Sequence, residues 1–140
     1  MEKGFIIDFT SKAFKKYDRN VINYLLKIKS ESHIRIIDYI YPLKKLKGKM
    51  YPIKDHVNLS GFNPLIGPSF ISLTNIYNSK RGITVVALPQ DVEPNEKEKK
   101  KLINASVNAI CYNLVPTVIF AASLGIKVKA VGIVQEFKHS

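Results

Sequence analysis

Hydrophobic residues along this chain fall into short runs that predict strands separated by helices. Runs rich in isoleucine, valine and aromatic residues are typical of strands that are buried on at least one face. They occupy residues 4–9, 33–41, 81–89, 107–113 and 126–135. Residues 50–59 are also expected to be extended, because a proline disfavours helical backbone in the residue before it.

Three segments have the apolar spacing or the end signals of helices. Residues 11–30 place apolar side chains on one face, and Thr10 or Ser11 could cap that helix. Residues 94–104 begin with a proline and acids and continue with lysines, which suits the helix dipole. Residues 115–125 end on a glycine that is expected to cap the helix. A helical turn is also expected near residues 73–77, after an irregular segment at 61–70.

The order of these elements predicts the fold class. Strands that alternate with helices are typical of an α/β protein with a largely parallel sheet. We expect a three-layer arrangement, in which a largely parallel or mixed twisted sheet has helices packed against it. The strands near 33–41, 82–88, 107–112 and 127–135 should share one sheet. The length of 140 residues fits a single domain over residues 1–140.

The net charge of +11 raises the possibility of a polyanionic partner. The lysines are spread along the chain, with no zinc-finger spacing and no arginine-rich arm, so a solvated lysine surface is favoured over a nucleic-acid groove. No apolar run is long enough for a membrane span or a signal peptide, so we expect a cytoplasmic location without membrane association. Cys111 is the single cysteine and is expected to be a buried thiol. No metal-ligand spacing is present, and we expect neither a metal nor a cofactor.

An unusual set of residue types occurs in DHVNLSGFNPLIGP, residues 55–68. It resembles the segment D-H-[IV]-N-L…N-P-L-x-G-P of the purine nucleoside phosphorylase and methylthioadenosine phosphorylase family. A second match is NAICYNLVPTVIFAASLGIKVKAVGIV, residues 108–134, which is similar to a strand–helix–strand of that family. Between them, ALPQDVEP at 87–94 resembles the family's G-G-P-x-F-E-T-P. The resemblance covers about residues 33–136 and implies a nucleoside phosphorylase-like α/β domain.

The resemblance also implies which residues would contact a ligand. Val92 occupies the position of the family's purine-binding glutamate, and Glu93 lies one step away. Tyr112 replaces the methionine beneath the ribose, and Asn113 replaces the phosphate-binding serine. Glu136 occupies the position of a base-reading asparagine or aspartate. The alternatives are that Tyr112 is a structural aromatic residue and that Glu136 is only a solvent-exposed acid.

The opening residues of the first motif are expected to be structural. In the family this segment orders a loop near subunit contacts, so we expect loop-fixing hydrogen bonds or subunit contacts from Asp55, His56, Asn58 and Asn63. The chain has about half the family's length, and apolar surface that the remainder would cover should favour a homo-oligomer. Residues in or beside such surface are Tyr39, Ile40, Tyr41, Phe62 and Phe70.

The family's phosphate-binding loop has no counterpart in this sequence. No two glycines lie within three residues of each other, and bulky residues at 39–41 replace the family's small ones. The sequence therefore predicts a truncated nucleoside phosphorylase-like protein without competent phosphorolysis, which retains a binding or assembly role. Its ligand would be a purine nucleoside or phosphate. The alternatives are a minimal nucleoside phosphorylase or hydrolase with a rebuilt site, and a basic nucleic-acid-binding protein.

Overall fold

A computed structural model of the chain describes residues 4–60, 76–77 and 79–136. Six strands and three helices lie in these ranges. The strands are β1 (Phe5–Asp8), β2 (His33–Pro42), β3 (Met50–Asn58), β4 (Ile83–Ala87), β5 (Ala109–Cys111) and β6 (Lys127–Val134). The helices are α1 (Arg19–Leu26), α2 (Glu96–Asn104) and α3 (Leu114–Ser123).

The six strands form one mixed sheet in the order β1-β2-β5-β4-β3-β6. Pairing is parallel between β1 and β2, β2 and β6, β3 and β4, and β4 and β5, and it is antiparallel between β2 and β5 and between β3 and β6. The predicted α/β class and mixed sheet are thus confirmed. The four strands that were expected to share a sheet do so.

The sheet closes into a ring because β2 pairs with β6, at the far end of the strand order, as well as with its neighbour β5. Residues His33–Ile40 of β2 pair with β6, and Tyr41 and Pro42 pair with β5. Gly132 permits this close packing, since a Cβ atom there would lie 2.5 Å from Cγ2 of Ile40. Sequence periodicity did not indicate this closure.

The main core lies between α3 and the sheet. Seven residues of α3 are buried, and its side chains join those of β2, β4, β5 and β6 in one apolar cluster. Cys111 is fully buried in that cluster, in agreement with the prediction of a buried thiol. Ile40 is also fully buried, so the expectation that it lies at an uncovered surface is wrong.

The first predicted helix is shorter than expected. Residues 11–18 are not helical, and α1 begins after Asp18, whose side chain accepts hydrogen bonds from the amides of Asn20 and Val21. Asp18 is therefore the N-cap, and not Thr10 or Ser11 as expected. The Thr10 amide and hydroxyl instead both donate hydrogen bonds to the Asp8 carboxylate. This local turn competes with a helix start.

The other two helices differ from prediction only at their ends. Pro94 precedes α2 rather than starting it, and Asn95 is the N-cap, in a capping box with Glu98. Gly125 follows the last residues of α3 with a φ of 79°, a backbone conformation that favours glycine. The helical turn expected at 73–77 lies mostly outside the described residues, and Tyr77 forms a β-bridge with Val128 instead. Over the described ranges, no helix is long and apolar enough to cross a membrane.

Candidate functional site

A pocket of about 340 Å³ lies where three parallel strands end. Ser60 follows β3, Leu88 follows β4, and Tyr112 and Asn113 follow β5, so the pocket is at the carboxyl ends of these strands. Ligands of α/β proteins commonly bind at the carboxyl ends of parallel strands, in closed as well as open sheets. The volume is at the lower end of the range of about 300–1,000 Å³ for small-molecule sites. The lining residues are Lys16, Tyr17, Asp18, Ser60, Leu88, Pro89, Gln90, Tyr112, Asn113 and Pro116.

Tyr112 contributes an oriented aromatic ring to this pocket. Its hydroxyl donates a hydrogen bond to the Val92 carbonyl at 2.8 Å, and its ring packs edge-to-face against Tyr41 with centroids 5.6 Å apart. Partial burial, with smaller effects from Tyr41 and Glu93, raises the pKa of Tyr112 to about 12. The side chain is therefore a neutral phenol that also holds the 89–93 segment in place.

Asn113 is a buried pocket residue whose amide orientation is fixed. Its Oδ1 atom accepts a hydrogen bond from the Tyr17 amide at 3.0 Å, and its backbone N–H donates to Asp38 Oδ2 at 3.2 Å. It occupies the N-cap position of α3 but makes no side-chain cap bond. Since Oδ1 is engaged, Nδ2 is a donor without a hydrogen-bond partner among the residues the structure describes.

Asp38 lies behind Asn113 and was not identified from the sequence. It is 4% exposed, and its carboxylate accepts bonds from the backbone N–H groups of Tyr39 and Asn113. Burial raises the pKa of Asp38 to about 7, although the backbone hydrogen bonds act in the opposite direction. An acid inside the apolar strand HIRIIDYIY was the available signal, because buried charges are rare without a special partner.

Ser60 lines the pocket and was also missed by sequence reasoning. It is buried, and its amide and hydroxyl both donate to Asn58 Oδ1, at 3.1 and 2.6 Å. Lys16, Tyr17 and Gln90 also reach the pocket from segments far apart in sequence. No motif joins these residues along the chain, so only their spatial proximity reveals them.

The two predicted acidic ligand residues lie elsewhere. Glu93 is exposed in the segment before α2, and Glu136 is exposed beyond the end of β6. Neither lines the pocket that contains Tyr112 and Asn113. The structure thus brings together two of the four predicted ligand residues, and the binding roles of all four stay predictions.

Three residues of the first motif lie in a strand. Asp55, His56 and Asn58 belong to β3 and pair with β4, in agreement with the extended backbone expected for residues 50–59. Their expected role in subunit contacts stays a prediction. The expected local bonds are present at Asp55 and Asn58, whose carboxylate and amide oxygens accept backbone N–H groups. Asn63, Phe62 and Phe70 lie outside the described residues.

His56 has a side-chain partner that the sequence did not indicate. Its Nδ1 atom lies 2.7 Å from the Tyr77 hydroxyl, and the two rings pack edge-to-face. Burial lowers the pKa of His56, while the neighbouring Asp55 opposes that effect. The pair ties the end of β3 to the bridge that Tyr77 makes with β6. Across the described ranges, no group of three or more His, Cys, Asp or Glu side chains could hold a metal ion.

Comparison with known proteins gives structural matches without sequence matches. No protein-family model matches the sequence, and no curated protein matches it significantly. A Schistosoma purine nucleoside phosphorylase in complex with hypoxanthine has a TM-score of 0.69 at 22% identity, over 88% of this chain and 55% of that chain. A Schistosoma purine nucleoside phosphorylase in complex with guanosine has a TM-score of 0.71 at 22% identity, over 88% of this chain and 60% of that chain.

A methylthioadenosine phosphorylase is similar to the same extent. The apo enzyme from Schistosoma mansoni has a TM-score of 0.70 at 13% identity, over 88% of this chain and 59% of that chain. This chain therefore spans 55–60% of the length of these three structures. The fold that the two motifs indicated is confirmed, and the described part of this chain shares the fold of the nucleoside phosphorylases.

Proposed function

We propose that this protein is a diverged, shortened relative of the nucleoside phosphorylases that binds a purine base or nucleoside and does not carry out phosphorolysis. One observation carries the proposal: Tyr112 and Asn113, which the motif resemblance assigns to the ligand, both line the pocket at the strand ends. The similar structures that contain hypoxanthine and guanosine support a purine as the ligand class.

The chemistry of the lining residues suits a flat heterocycle with acceptor atoms. The Tyr112 hydroxyl is engaged with Val92, so its ring offers an apolar surface rather than a donor. Asn113 Nδ2 offers a hydrogen-bond donor to a ring nitrogen or a carbonyl oxygen. Gln90 is an exposed pocket residue that can both donate and accept, which allows contacts to a ribose hydroxyl.

The same set of residues is poorly suited to hold a phosphate nucleophile. Lys16 is the one cationic side chain among the residues that line the pocket, and it is exposed. A flexible ammonium group does not reproduce a fixed nest of backbone N–H groups or a bidentate arginine. Loss of one such preorganised group typically costs about two to three orders of magnitude in rate. Binding without turnover is the expected result.

Calorimetric titration with hypoxanthine and guanosine tests the binding site. Asn113→Asp keeps the acceptor for the Tyr17 amide but replaces the free donor with a carboxylate oxygen, so the affinity should fall by about tenfold or more. Tyr112→Leu removes the ring and should weaken binding without adding a charge. Circular dichroism of each variant establishes that it is folded.

Glu136→Gln is the matched control, because it changes a single carboxyl group outside the pocket. It should leave the affinity unchanged. If Glu136→Gln abolishes binding while Asn113→Asp does not, the ligand binds near the end of β6 and our assignment of the pocket is wrong. Absence of any binding by the wild-type protein would refute the proposed function itself.

An activity assay separates this proposal from the enzyme alternative. The purified chain should release no free base from inosine, adenosine or methylthioadenosine in the presence of phosphate. Phosphate-dependent release that Asn113→Asp abolishes would instead support a minimal phosphorylase with a rebuilt site.

A further inference from the structure

Four basic residues lie together on one face of the β1–β2–β6 part of the sheet. The strand register places Ile6, Arg35 and Lys129 side by side, and His33 and Lys127 form the row before them. Alternate residues of the same strands, among them Ile34 and Val128, are buried in the core. His33, Arg35, Lys127 and Lys129 are here called the basic sheet face.

The basic sheet face surrounds a depression of about 340 Å³. Its lining residues include all four basic residues together with Ile6, and they share no residue with the pocket that contains Tyr112. Ile6 is 53% exposed, and Arg35, Lys127 and Lys129 are exposed as well. A solvent-accessible concave surface therefore combines several cations with one apolar side chain.

Positive charge at this face is only partly balanced. Glu31 lies 3.9 Å from Lys127, but both side chains are more than half exposed, and such pairs contribute little. Asp8 lies one row beyond Arg35 on β1, and its carboxylate accepts two hydrogen bonds from Thr10. Arg35 and Lys129 form no ion pair with any residue in the described ranges.

The arrangement suits an extended chain of negative charges better than a single small anion. A site for one phosphate would need a fixed donor aimed into it, whereas the cations here are exposed side chains spread over two strands. Neighbouring strands lie about 5 Å apart, and successive residues on one face lie about 7 Å apart, so the charges form a small grid. The net charge of +11 adds long-range attraction for a polyanion.

We propose that the basic sheet face binds single-stranded nucleic acid, with Arg35, Lys127 and Lys129 contacting phosphates and Ile6 contacting a base. The exposed sheet surface allows side chains to meet both the backbone and unstacked bases of a single strand. This proposal does not depend on the purine-binding pocket, which involves other residues.

Fluorescence anisotropy with a labelled oligothymidylate tests the proposal as a function of salt concentration. The triple variant Arg35→Gln, Lys127→Gln, Lys129→Gln should bind more weakly than the wild type. On single strands each phosphate contact contributes about 0.7 to the slope of log K against log salt, so the slope should decrease by about 2 in magnitude. Thermal unfolding establishes that the variant is folded.

A matched control separates this face from the overall charge. Lys97→Gln, Lys100→Gln, Lys101→Gln removes the same number of charges from the exposed side of α2 and should leave most of the affinity and the slope intact. If both triple variants lose affinity equally, binding is a diffuse effect of net charge and the proposal is wrong. It is also wrong if the wild type binds vesicles of phosphatidylserine but not the oligonucleotide, because the face would then recognise a membrane.

Discussion

The carboxyl group of Asp38 connects β2 to the beginning of α3. It accepts backbone N–H groups from Tyr39 at 2.8 Å and from Asn113 at 3.2 Å, and Asn113 in turn holds the Tyr17 amide. Two walls of the pocket that contains Tyr112 are thus positioned through one buried acid. Because burial raises the pKa of Asp38 from 3.8 to about 7, the folded state favours the protonated form more than the unfolded state does.

At the residue scale, this difference predicts a pH dependence of stability. The stabilising contribution of protonated Asp38 is complete below pH 3.8 and is lost as the pH rises toward about 7, where the folded protein deprotonates. The shift of the Asp38 pKa corresponds to a decrease of about 4 kcal/mol in the free energy of unfolding between the two pH values. Urea denaturation between these pH values should show this loss in the wild type and not in Asp38→Asn, which cannot ionise. An identical pH profile in the two proteins would contradict the prediction.

His56 should contribute in the opposite direction over part of this range. Its lowered pKa means that the stabilising contribution of the neutral form is present above pH 6.5 and is lost as the pH falls through the folded pKa. The comparison of wild type with Asp38→Asn cancels this effect, because His56 is present in both.

Gly82 allows the backbone just before β4 to approach β3 closely. Its φ is 134°, and a Cβ atom at this position would lie 2.1 Å from the carbonyl oxygen of Pro52. Pro52 is part of β3, the parallel neighbour of β4, so the close approach joins two strands of the ring. A side chain at residue 82 would therefore need a shift of the backbone rather than of a flexible side chain.

At the element scale, Gly82→Ala should destabilise the protein by about 3 kcal/mol or more, because it combines an unfavourable φ with a backbone clash. Gly4→Ala is the control, since a Cβ atom there meets nothing within 4 Å. Thermal unfolding should show a large decrease in Tm for the first variant and little change for the second. Equal effects of the two substitutions would show that the close approach to Pro52 is unimportant.

Several apolar groups are left at the surface of the whole molecule. Leu59 is 53% exposed and Met50 63% exposed, at the two ends of β3, and β1 pairs within the described sheet only with β2. Exposed apolar side chains and a free strand edge both favour association. Leu59 also belongs to the 55–70 segment that the sequence resemblance places near subunit contacts.

At the scale of the whole molecule, we expect a homo-oligomer whose interface includes Leu59. Light scattering at tens of micromolar, roughly the range in which modest interfaces associate, should give a mass above that of one chain. Leu59→Glu should lower this mass, whereas Leu26→Glu, at a similarly exposed position of α1, should not. A wild-type protein that is monomeric at this concentration would refute the prediction.

Local sequence predicted most elements but not all of their ends. The β-branched runs at 33–41 and 126–135 became β2 and β6 because their alternation matches the two faces of a strand. The first half of the helix predicted at 11–30 does not form. The Asp8 side chain makes turn hydrogen bonds there instead, and Asp18 caps a helix that begins later. Of the candidate site, Tyr112 and Asn113 came from a motif, whereas Ser60 and Asp38 required the structure.

What the sequence determined by itself is the identity of the strands, the left-handed glycine, Gly125, that follows α3 and, through its motifs, the fold. These depend on local preferences and on residue order, which can be read along the chain. Only the tertiary structure decided the ring closure of β2, the burial of Asp38 and the grouping of Arg35 with Lys127 and Lys129. Each of these depends on pairing between segments far apart in sequence, and no local pattern encodes which distant strand lies alongside.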